Sequence, residues 1–464
     1  MSLSVPFLWK KKGMTPMKQI KILLWFDVED YVTPESDDAF LKLLQMLDEV
    51  GLRATIKFCT EKVERLKRLG RDDIFRYLPN HELAFHTTYH SVHPLPSEYL
   101  DPMGFKDGTE EFYRREKPGY DRLSELTGQH PISYGHPGRA WAPQAFAASR
   151  AMGIPTYLDA HPILNVDGRP FWYDGVFTLS GLSNILCSDH DPDQRAKMKA
   201  AFDHMDMRGE DVVFFSVYDH PTDFCTTIFW DRVNFGDGKN PDSYVPAPLR
   251  APGETENNIA ALREFIEMTL QHDNVEYITA TQAMAYEKVC TKPVTAQDLR
   301  EHAAGFDGEV TFAKIAGRMF APSEIFSYLA RLLSGRALQS ELLYGPEADV
   351  PSEVHDELFD AKELAEAAFS QYDSVRGFRQ LLPLYEVGHS RLNPVDLFCM
   401  MAECAAAGKE TVSYRKGRLA AADYVDDTYQ FAGSDWNVWD PGLKGEGIIR
   451  HTKLQCWTLK PVIV

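Results

Sequence analysis

Short apolar runs alternate with amphipathic segments over residues 18–290, and this alternation constrains the fold more than any other feature of the chain. Ile20–Phe26, Leu52–Phe58 and Val212–Tyr218 are apolar runs of strand length, and each precedes a segment with helical spacing. Strands that alternate with helices form parallel sheets with helical crossovers. Because seven or eight such units follow one another, we predict an α/β fold, a distorted (β/α) barrel, over residues 18–290.

Acidic and histidine side chains gather where the predicted strands end. They are Asp27, Glu29, Asp30, His86, His90, His136, Asp159 and His220. Ten of the fifteen histidines lie between residues 81 and 220. In (β/α) barrels the loops after the strands carry the chemistry, because the carboxyl ends of parallel strands share one rim. Histidines that were only core residues would not concentrate at one rim, so we expect the functional site there.

His86 and His90 form an H-x-x-x-H pair directly after an apolar run. Side chains at i and i+4 project the same way if the residues between them make a helical turn. Imidazole suits zinc and other late divalent metals, and one carboxylate would complete a three-ligand site with open positions. The acidic cluster after the first strand offers Glu29 or Asp30 for this purpose. Because a lone H-x-x-x-H pair is common, the prediction of a divalent metal, with zinc favoured, depends on that cluster.

The composition argues against several kinds of partner. A formal net charge of −19 disfavours both nucleic acid and an anionic membrane surface, since these are themselves negatively charged. No apolar run is long enough for a membrane span, and the first lysines follow the apolar stretch, unlike those of a secretory leader. The seven cysteines include no C-x-x-C pair. We therefore expect a cytoplasmic protein without a nucleic-acid or membrane partner, and a homo-oligomer stays open.

The motifs at these strand ends resemble those of the polysaccharide deacetylase (NodB homology) family, carbohydrate-esterase family four. His86–His90 (HTTYH) is similar to the paired-histidine motif of that family, and Phe26–Asp30 (FDVED) looks like its first motif in the Asp-x-acid form of atypical members. The third, fourth and fifth motifs are expected at Tyr134–Trp141, Asp159–Pro162 and Tyr218–His220. The resemblance implies a deacetylase-type barrel that hydrolyses a C–N amide bond with a divalent metal.

The resemblance also implies a metal-binding set. Glu29, His86 and His90 would hold the metal, with Asp30 as the acidic ligand if the alignment slips by one position. Asp27 would be the general base that takes a proton from the attacking water.

His220 would be the acid that protonates the leaving nitrogen, which fits a side chain that titrates close to neutral pH. Asp159 would orient His220. The family pairs its base with an arginine of the third motif, and Gly135 stands at that position here. Arg139, four residues later, could reach in to replace it.

Four residues are predicted to contact the substrate: His136, Arg139, Trp141 and Trp230. Trp230 lies in a long segment after His220, residues 221–255, that we predict to be a loop. Aromatic rings there could stack on the face of a sugar or simply cover the barrel, and the sequence leaves both open. The same alternatives hold for Trp141.

Past residue 290 the alternation stops. Met319–Ala330 and Leu392–Ala402 share the pattern apolar-x-Pro-x-acid-apolar-Phe-x-x-apolar-Ala. Proline and an acid in the first turn are typical of a helix start, so we predict a mainly helical repeat region over residues 291–411. It is loosely similar to the repeats that bind pseudomurein in archaeal wall enzymes, and a helical lid or a dimerisation module fits as well. Residues 412–464, with Trp436, Trp439 and Trp457, are predicted as strands and turns without an assigned role.

Three functions are compatible with these observations. The first is metal-dependent amide hydrolysis, as in deacetylation of an N-acetylated sugar or glycan. The second is glycan binding by a barrel that has lost catalysis, against which the presence of Asp27 and His220 argues. The third is hydrolysis of a small cyclic amide without metal, as in allantoinase-like relatives, against which the pair His86 and His90 argues. The expected partner is thus a carbohydrate or a small amide substrate.

Overall fold

A curled ten-stranded sheet organises the first part of the chain. The computed structural model describes residues 18–159, 161–180, 185, 193–205, 211–236, 238–431 and 438–464. The first nine strands of the sheet are β1 (Gln19–Val28), β2 (Thr55–Phe58), β3 (Glu82–Phe85), β4 (Ser133–Tyr134), β5 (Thr156–Asp159), β6 (Phe171–Tyr173), β7 (Val176–Ser180), β8 (Val212–Asp219) and β9 (Val275–Ile278).

Seven of these strands are parallel neighbours in the order β7-β5-β4-β3-β2-β1-β8. β1 is bonded along both edges, because β8 pairs with one edge while β9 and β2 share the other. Ile185, which follows β7 in the sequence, forms an isolated parallel bridge with Tyr218 of β8. Consecutive residues of β1 from Ile22 to Val28 are buried, so both faces of the strand are covered, which explains its continuous apolar run. The predicted distorted (β/α) barrel is confirmed.

Helices connect the parallel strands. They are α1 (Glu35–Glu49), α2 (Thr60–Arg68), α3 (Asp72–Phe75), α4 (Pro96–Leu100), α5 (Phe105–Thr127), α6 (Pro143–Ala151), α7 (Gln194–Asp203), α8 (Pro221–Cys225), α9 (Trp230–Phe235), α10 (Glu254–Thr269) and α11 (Ala280–Ala283). α1 buries Phe40, Leu43, Leu44 and Leu47, the i, i+3, i+4, i+7 spacing of an amphipathic helix. The predicted loop over residues 221–255 contains α8 and α9, and the β6–β7 hairpin was not predicted. None of the helices in the described ranges has the length and apolar content that a membrane crossing needs.

Residues 294–412 build a second apolar core. Its elements are α12 (Ala296–Ala304), β10 (Ala313–Ile315), β11 (Arg318–Phe320), α13 (Pro322–Leu333), β12 (Phe359–Asp360), α14 (Ala361–Ser370), β13 (Asp373–Val375), β14 (Phe378–Gln380), β15 (Tyr385–Val387), β16 (Ser390–Leu392), α15 (Pro394–Ala407) and β17 (Thr411–Val412). Both sequence repeats consist of an antiparallel hairpin followed by a helix that begins at proline, β10-β11-α13 and β15-β16-α15. The expectation of a mainly helical repeat missed these hairpins, because each strand has only three residues.

The last segment returns to the barrel. β18 (Lys460–Pro461) pairs antiparallel with β6, and α16 (Glu446–Gln455) contributes Ile448 to the barrel core. Trp439 also packs in the barrel core, whereas Trp457 belongs to the second core and Trp436 lies outside the described residues. The prediction of strands and turns for residues 412–464 therefore missed a helix.

Candidate active site

Glu29, His86 and His90 converge at the carboxyl rim, the edge of the barrel where β1, β3, β5 and β8 end. Oε2 of Glu29 lies 2.9 Å from Nε2 of His86 and 2.8 Å from Nε2 of His90. All three side chains are buried, and one ligand atom of each lies within 4.8 Å of the others. Burial favours the neutral acid, yet the charges and hydrogen bonds of His90 and His86 hold the pKa of Glu29 well below its usual value. An ionised carboxylate between two imidazoles is a donor set that suits zinc.

The two histidines do not share a helical turn, the condition under which their i, i+4 spacing alone would bring them together. Residues 86–90 form an irregular loop in which Thr87 and His90 have φ angles of 63° and 55°. Oε2 of the buried Glu116 accepts hydrogen bonds from N and Oγ1 of Thr88 at 2.7 and 2.8 Å and so holds the loop in place. The left-handed backbone brings the imidazoles together, and strain of this kind concentrates at functional sites.

A further contact orients each imidazole. Nδ1 of His86 donates to the backbone oxygen of Gly135 at 2.8 Å. Nδ1 of His90 lies 2.6 Å from Oγ of Ser91, which in turn donates to Oδ2 of Asp231 at 3.2 Å. When Nδ1 of a neutral imidazole carries the proton, Nε2 presents a lone pair. The charges that keep Glu29 ionised correspond to protons on the two Nε2 atoms, and a divalent cation could take the place of those protons between the imidazoles and the carboxylate. Metal-binding histidines are commonly held in this manner.

Asp30, the alternative acidic ligand, is directed elsewhere. Its Oδ1 accepts hydrogen bonds from the backbone N of Val32 and Thr33 at 2.9 and 2.8 Å, and its Oδ2 accepts one from Thr222 at 2.8 Å. Oδ1 therefore shapes the turn before α1, and Oδ2 ties that turn to α8. Of the two acidic candidates, Glu29 is the one that reaches the histidines.

Asp27 lies beside the cluster, two residues before Glu29. Its Oδ2 is 2.8 Å from Nζ of Lys57, 3.6 Å from Nε2 of His86 and 3.8 Å from Nε2 of His220. Its Oδ1 is buried and has no hydrogen-bond partner within the described ranges. A carboxylate with one anchored oxygen and one free oxygen is suited to accept a proton. The cation beside it is Lys57, not Arg139 as the resemblance suggested.

The partner of His220 is Asp223 and not Asp159, which corrects the prediction. Nδ1 of His220 lies 2.9 Å from Oδ2 of Asp223, because the short helix α8 turns the chain back at this point. Burial lowers the pKa of His220, but the hydrogen bond and charge of Asp223, with the charges of Glu29 and Asp27, raise it to about 10. The imidazole is therefore protonated at neutral pH, as a general acid requires.

Asp159 instead contacts His136. Its Oδ2 lies 3.1 Å from Nδ1 of His136, which also contacts the hydroxyl of Tyr157. His136 is only 2% exposed, and burial, together with the charge of His161, lowers its pKa well below the usual value. Asp159 and Tyr157 thus hold His136 in place, and its contact with the substrate stays a prediction.

Trp141 and Trp230 are both fully buried, and their contact with substrate stays a prediction. Nε1 of Trp141 donates to Thr452 at 3.0 Å in the barrel core. Nε1 of Trp230 donates to Oε1 of Glu29 at 3.1 Å, and its ring lies 5.7 Å from that of His90. Trp230 therefore supports the predicted metal ligands.

Arg139 is half-buried, and its contact with substrate stays a prediction. Two aromatic residues that were not predicted are exposed next to the site. Tyr89, which directly precedes His90, is 54% exposed, and Tyr244 is 48% exposed. Both are tied to Tyr31, whose hydroxyl donates to the backbone oxygen of Tyr89 and whose ring lies 5.7 Å from that of Tyr244.

Two polar residues of the site also escaped sequence analysis, although each carries a signal. Lys57 interrupts the apolar strand Thr55–Phe58 with a charge, and Asp223 stands three residues after His220, within reach if a helical turn begins there.

No family model and no curated protein matches the chain. Similar solved structures include a 4-alpha-glucanotransferase from Thermococcus litoralis (13% identity, TM-score 0.39, 58% of this chain and 41% of that one). Others are the Puue allantoinase (13%, 0.37, 57% and 89%) and the Xyl-CE4 domain of a multidomain xylanase from the hindgut metagenome of Trinervitermes trinervoides (13%, 0.32, 58% and 91%). The chain thus spans less than half of the glucanotransferase. At these identities and TM-scores the likenesses establish no family, so the function has to be inferred from the chain's own residues.

Proposed function

We propose that the chain is a metal-dependent hydrolase of a C–N amide bond that removes the acetyl group from an N-acetylated sugar or glycan. The observation that supports this most strongly is the convergence of Glu29, His86 and His90 beside a carboxylate, Asp27, and a further imidazole, His220. Amide hydrolysis needs a base for water and an acid for the departing amine, and the site offers one candidate for each.

Glu29, His86 and His90 are the residues that would hold the metal. The fit rests on the anchored Nδ1 atoms of both imidazoles, which place the two Nε2 atoms beside the same carboxylate oxygen, where a cation could take the place of their protons. A divalent cation bound there, with zinc favoured by this donor set, would supply the Lewis-acid catalysis of hydrolytic metal sites.

Asp27 and His220 divide the proton transfers. The free Oδ1 of Asp27 takes a proton from the attacking water while the water oxygen bonds to the acyl carbon. Nε2 of His220 gives its proton to the nitrogen as the C–N bond breaks, which releases a carboxylate and an amine. Asp223 stabilises the imidazolium of His220 until that moment. The resting charges agree with these roles, since the pKa of His220 is raised to about 10.

Tyr89 and Tyr244 support a sugar as the substrate. Both rings are exposed next to the site, and aromatic faces pack well against the apolar faces of sugar rings. A carbohydrate or a small amide also fits the acidic surface better than a polyanion does, because the net charge is −19.

The test combines metal analysis with product release. We expect the purified protein to contain about one divalent metal per chain and to release acetate from N-acetyl sugars or their oligomers. Chelation should abolish release, and added Zn²⁺ should restore it. Ammonia or ring opening from a cyclic amide by the metal-free protein, without acetate from any N-acetyl sugar, would contradict the proposal.

A further inference from the structure

Lys57 is held against Asp27 by the register of the sheet. The two residues are direct partners in the parallel pairing of β1 and β2. The side chain of Lys57 is 1% exposed, and its Nζ lies 2.8 Å from Oδ2 of Asp27 and 4.4 Å from the ring centroid of Trp25. A buried ammonium needs a partner of opposite charge, and Asp27 is the carboxylate that the structure gives it.

Gly135 provides the space for this lysine. A Cβ added at Gly135 would lie 2.7 Å from both Cδ and Nζ of Lys57 and 2.9 Å from the backbone oxygen of Leu158. Any side chain at this position would therefore collide with the lysine. Residue 135 is also where the resemblance led us to expect an arginine beside the base. In this chain the cation beside Asp27 comes from β2 and not from the end of β4.

We propose that Lys57 is the positioning residue of Asp27. It fixes Oδ2 and thereby leaves Oδ1, which has no hydrogen-bond partner in the described part of the chain, as the atom that takes the proton. The imidazoles of His86 and His220 lie farther from Oδ2, at 3.6 and 3.8 Å, and do not replace this contact. The inference rests on the proposed function, because Asp27 needs such positioning only if it acts as a base.

Lys57→Met removes the charge and keeps most of the volume. We expect kcat to fall by about 10- to 100-fold, as for other groups that support acid–base catalysis, with KM within about twofold and the metal content unchanged. In an Asp27→Asn background the same substitution should change kcat by less than about twofold, since a residue that acts through Asp27 has nothing left to position. A purely structural lysine would lower the activity equally in both backgrounds.

Lys21→Met is the matched control. Like Lys57, Lys21 is buried, and its Nζ lies 2.5 Å from a carboxylate oxygen of Glu276. It lies in β1, at the end of the strand opposite to Asp27. This variant should keep the wild-type kcat even if it is less stable. Should Lys57→Met not fold, Lys57→Leu carries the same comparison, because it also removes both the charge and the donor toward Oδ2.

The outcomes separate the inference from the proposed function. Wild-type kcat in Lys57→Met, or the same loss with and without Asp27, overturns the positioning role while amide hydrolysis stands. Full activity of Asp27→Asn removes the proposed base itself. A crystal structure of Lys57→Met gives a readout without turnover, since we expect the carboxylate of Asp27 to rotate away from its present orientation.

Discussion

Two pairs of buried histidines stand at the same rim of the barrel, and only one pair is arranged to hold a cation. Nε2 of His86 and of His90 lie within 2.9 Å of the same oxygen of Glu29. His136 and His161 instead pack ring against ring, with centroids 5.2 Å apart, and Nδ1 of His161 accepts a hydrogen bond from the backbone.

A carboxylate shared between two imidazoles, and not the burial of the imidazoles, therefore distinguishes the candidate metal site. Burial lowers the pKa of His136 and His161 well below the usual value, so both are neutral core residues at pH 7. His86 and His90 are just as buried, but they face an ionised acid. Within the described ranges, the groups that could hold a metal include neither His136 nor His161.

The largest expected effect comes from the base beside the first pair. Asp27→Asn should lower kcat by about 10²- to 10⁴-fold, because the proton acceptor is lost while the metal ligands stay in place. Steady-state kinetics and metal analysis of the same preparation measure both quantities. Loss of metal together with activity would show that Asp27 is a ligand and not the base.

Replacing one histidine of each pair tests whether only the pair His86 and His90 binds zinc. His86→Ala should weaken zinc binding by more than about 100-fold, beyond what outer contacts of metal sites contribute. His136→Gln should leave zinc binding unchanged, although both side chains are buried at the same rim. Competition with a zinc-binding dye gives the affinities. Equal losses in the two variants would remove the distinction between the pairs.

The two buried tryptophans allow a finer test. Trp230→Phe removes the donor to Oε1 of Glu29 and should weaken zinc binding by about 10- to 100-fold. Trp141→Phe removes only the hydrogen bond to Thr452 and should cost about 1 kcal/mol of unfolding free energy without a change in zinc binding. A change in zinc affinity in Trp141→Phe would mean that the second aromatic cluster also shapes the metal site.

The last prediction concerns the dependence of stability on pH. Because the folded chain holds His136 and His161 with pKa values well below 6.5, the unfolded chain binds protons that the folded chain does not. The contribution of these two neutral histidines to the free energy of unfolding is fully present above pH 6.5. It is lost as the pH falls toward their pKa values in the folded chain, by up to about 1.4 kcal/mol per pH unit for each histidine. Urea unfolding between about pH 7.5 and 5 measures this slope, and His161→Phe should reduce it. An unchanged slope would show that His161 is not one of the responsible groups.

Much of this arrangement could be predicted from the sequence because strand ends are easy to locate. The apolar run of β1 ends at the acidic cluster, and β3 ends directly before His86. The local geometry could not be predicted. An H-x-x-x-H spacing indicates a helical turn, whereas the left-handed φ angles of Thr87 and His90 depend on Glu116, nearly thirty residues away.

Two other features of the site could not be predicted from the sequence: which side chains are buried, and which residues contact one another. Trp141 and Trp230 are of a residue type that often stacks on sugars, but only the fold shows that both rings are buried. Lys57 was not predicted because the resemblance led us to expect the cation beside Asp27 at position 135. The glycine at that position does not indicate which neighbouring side chain occupies the space.

The most direct test of the central claim is X-ray diffraction at the zinc edge from crystals grown with Zn²⁺. We expect one anomalous peak per chain, about 2.0–2.2 Å from a carboxylate oxygen of Glu29 and from Nε2 of both His86 and His90. A peak at the neighbouring group Asp219, His220 and Asp223, or no peak at the carboxyl rim, would contradict it.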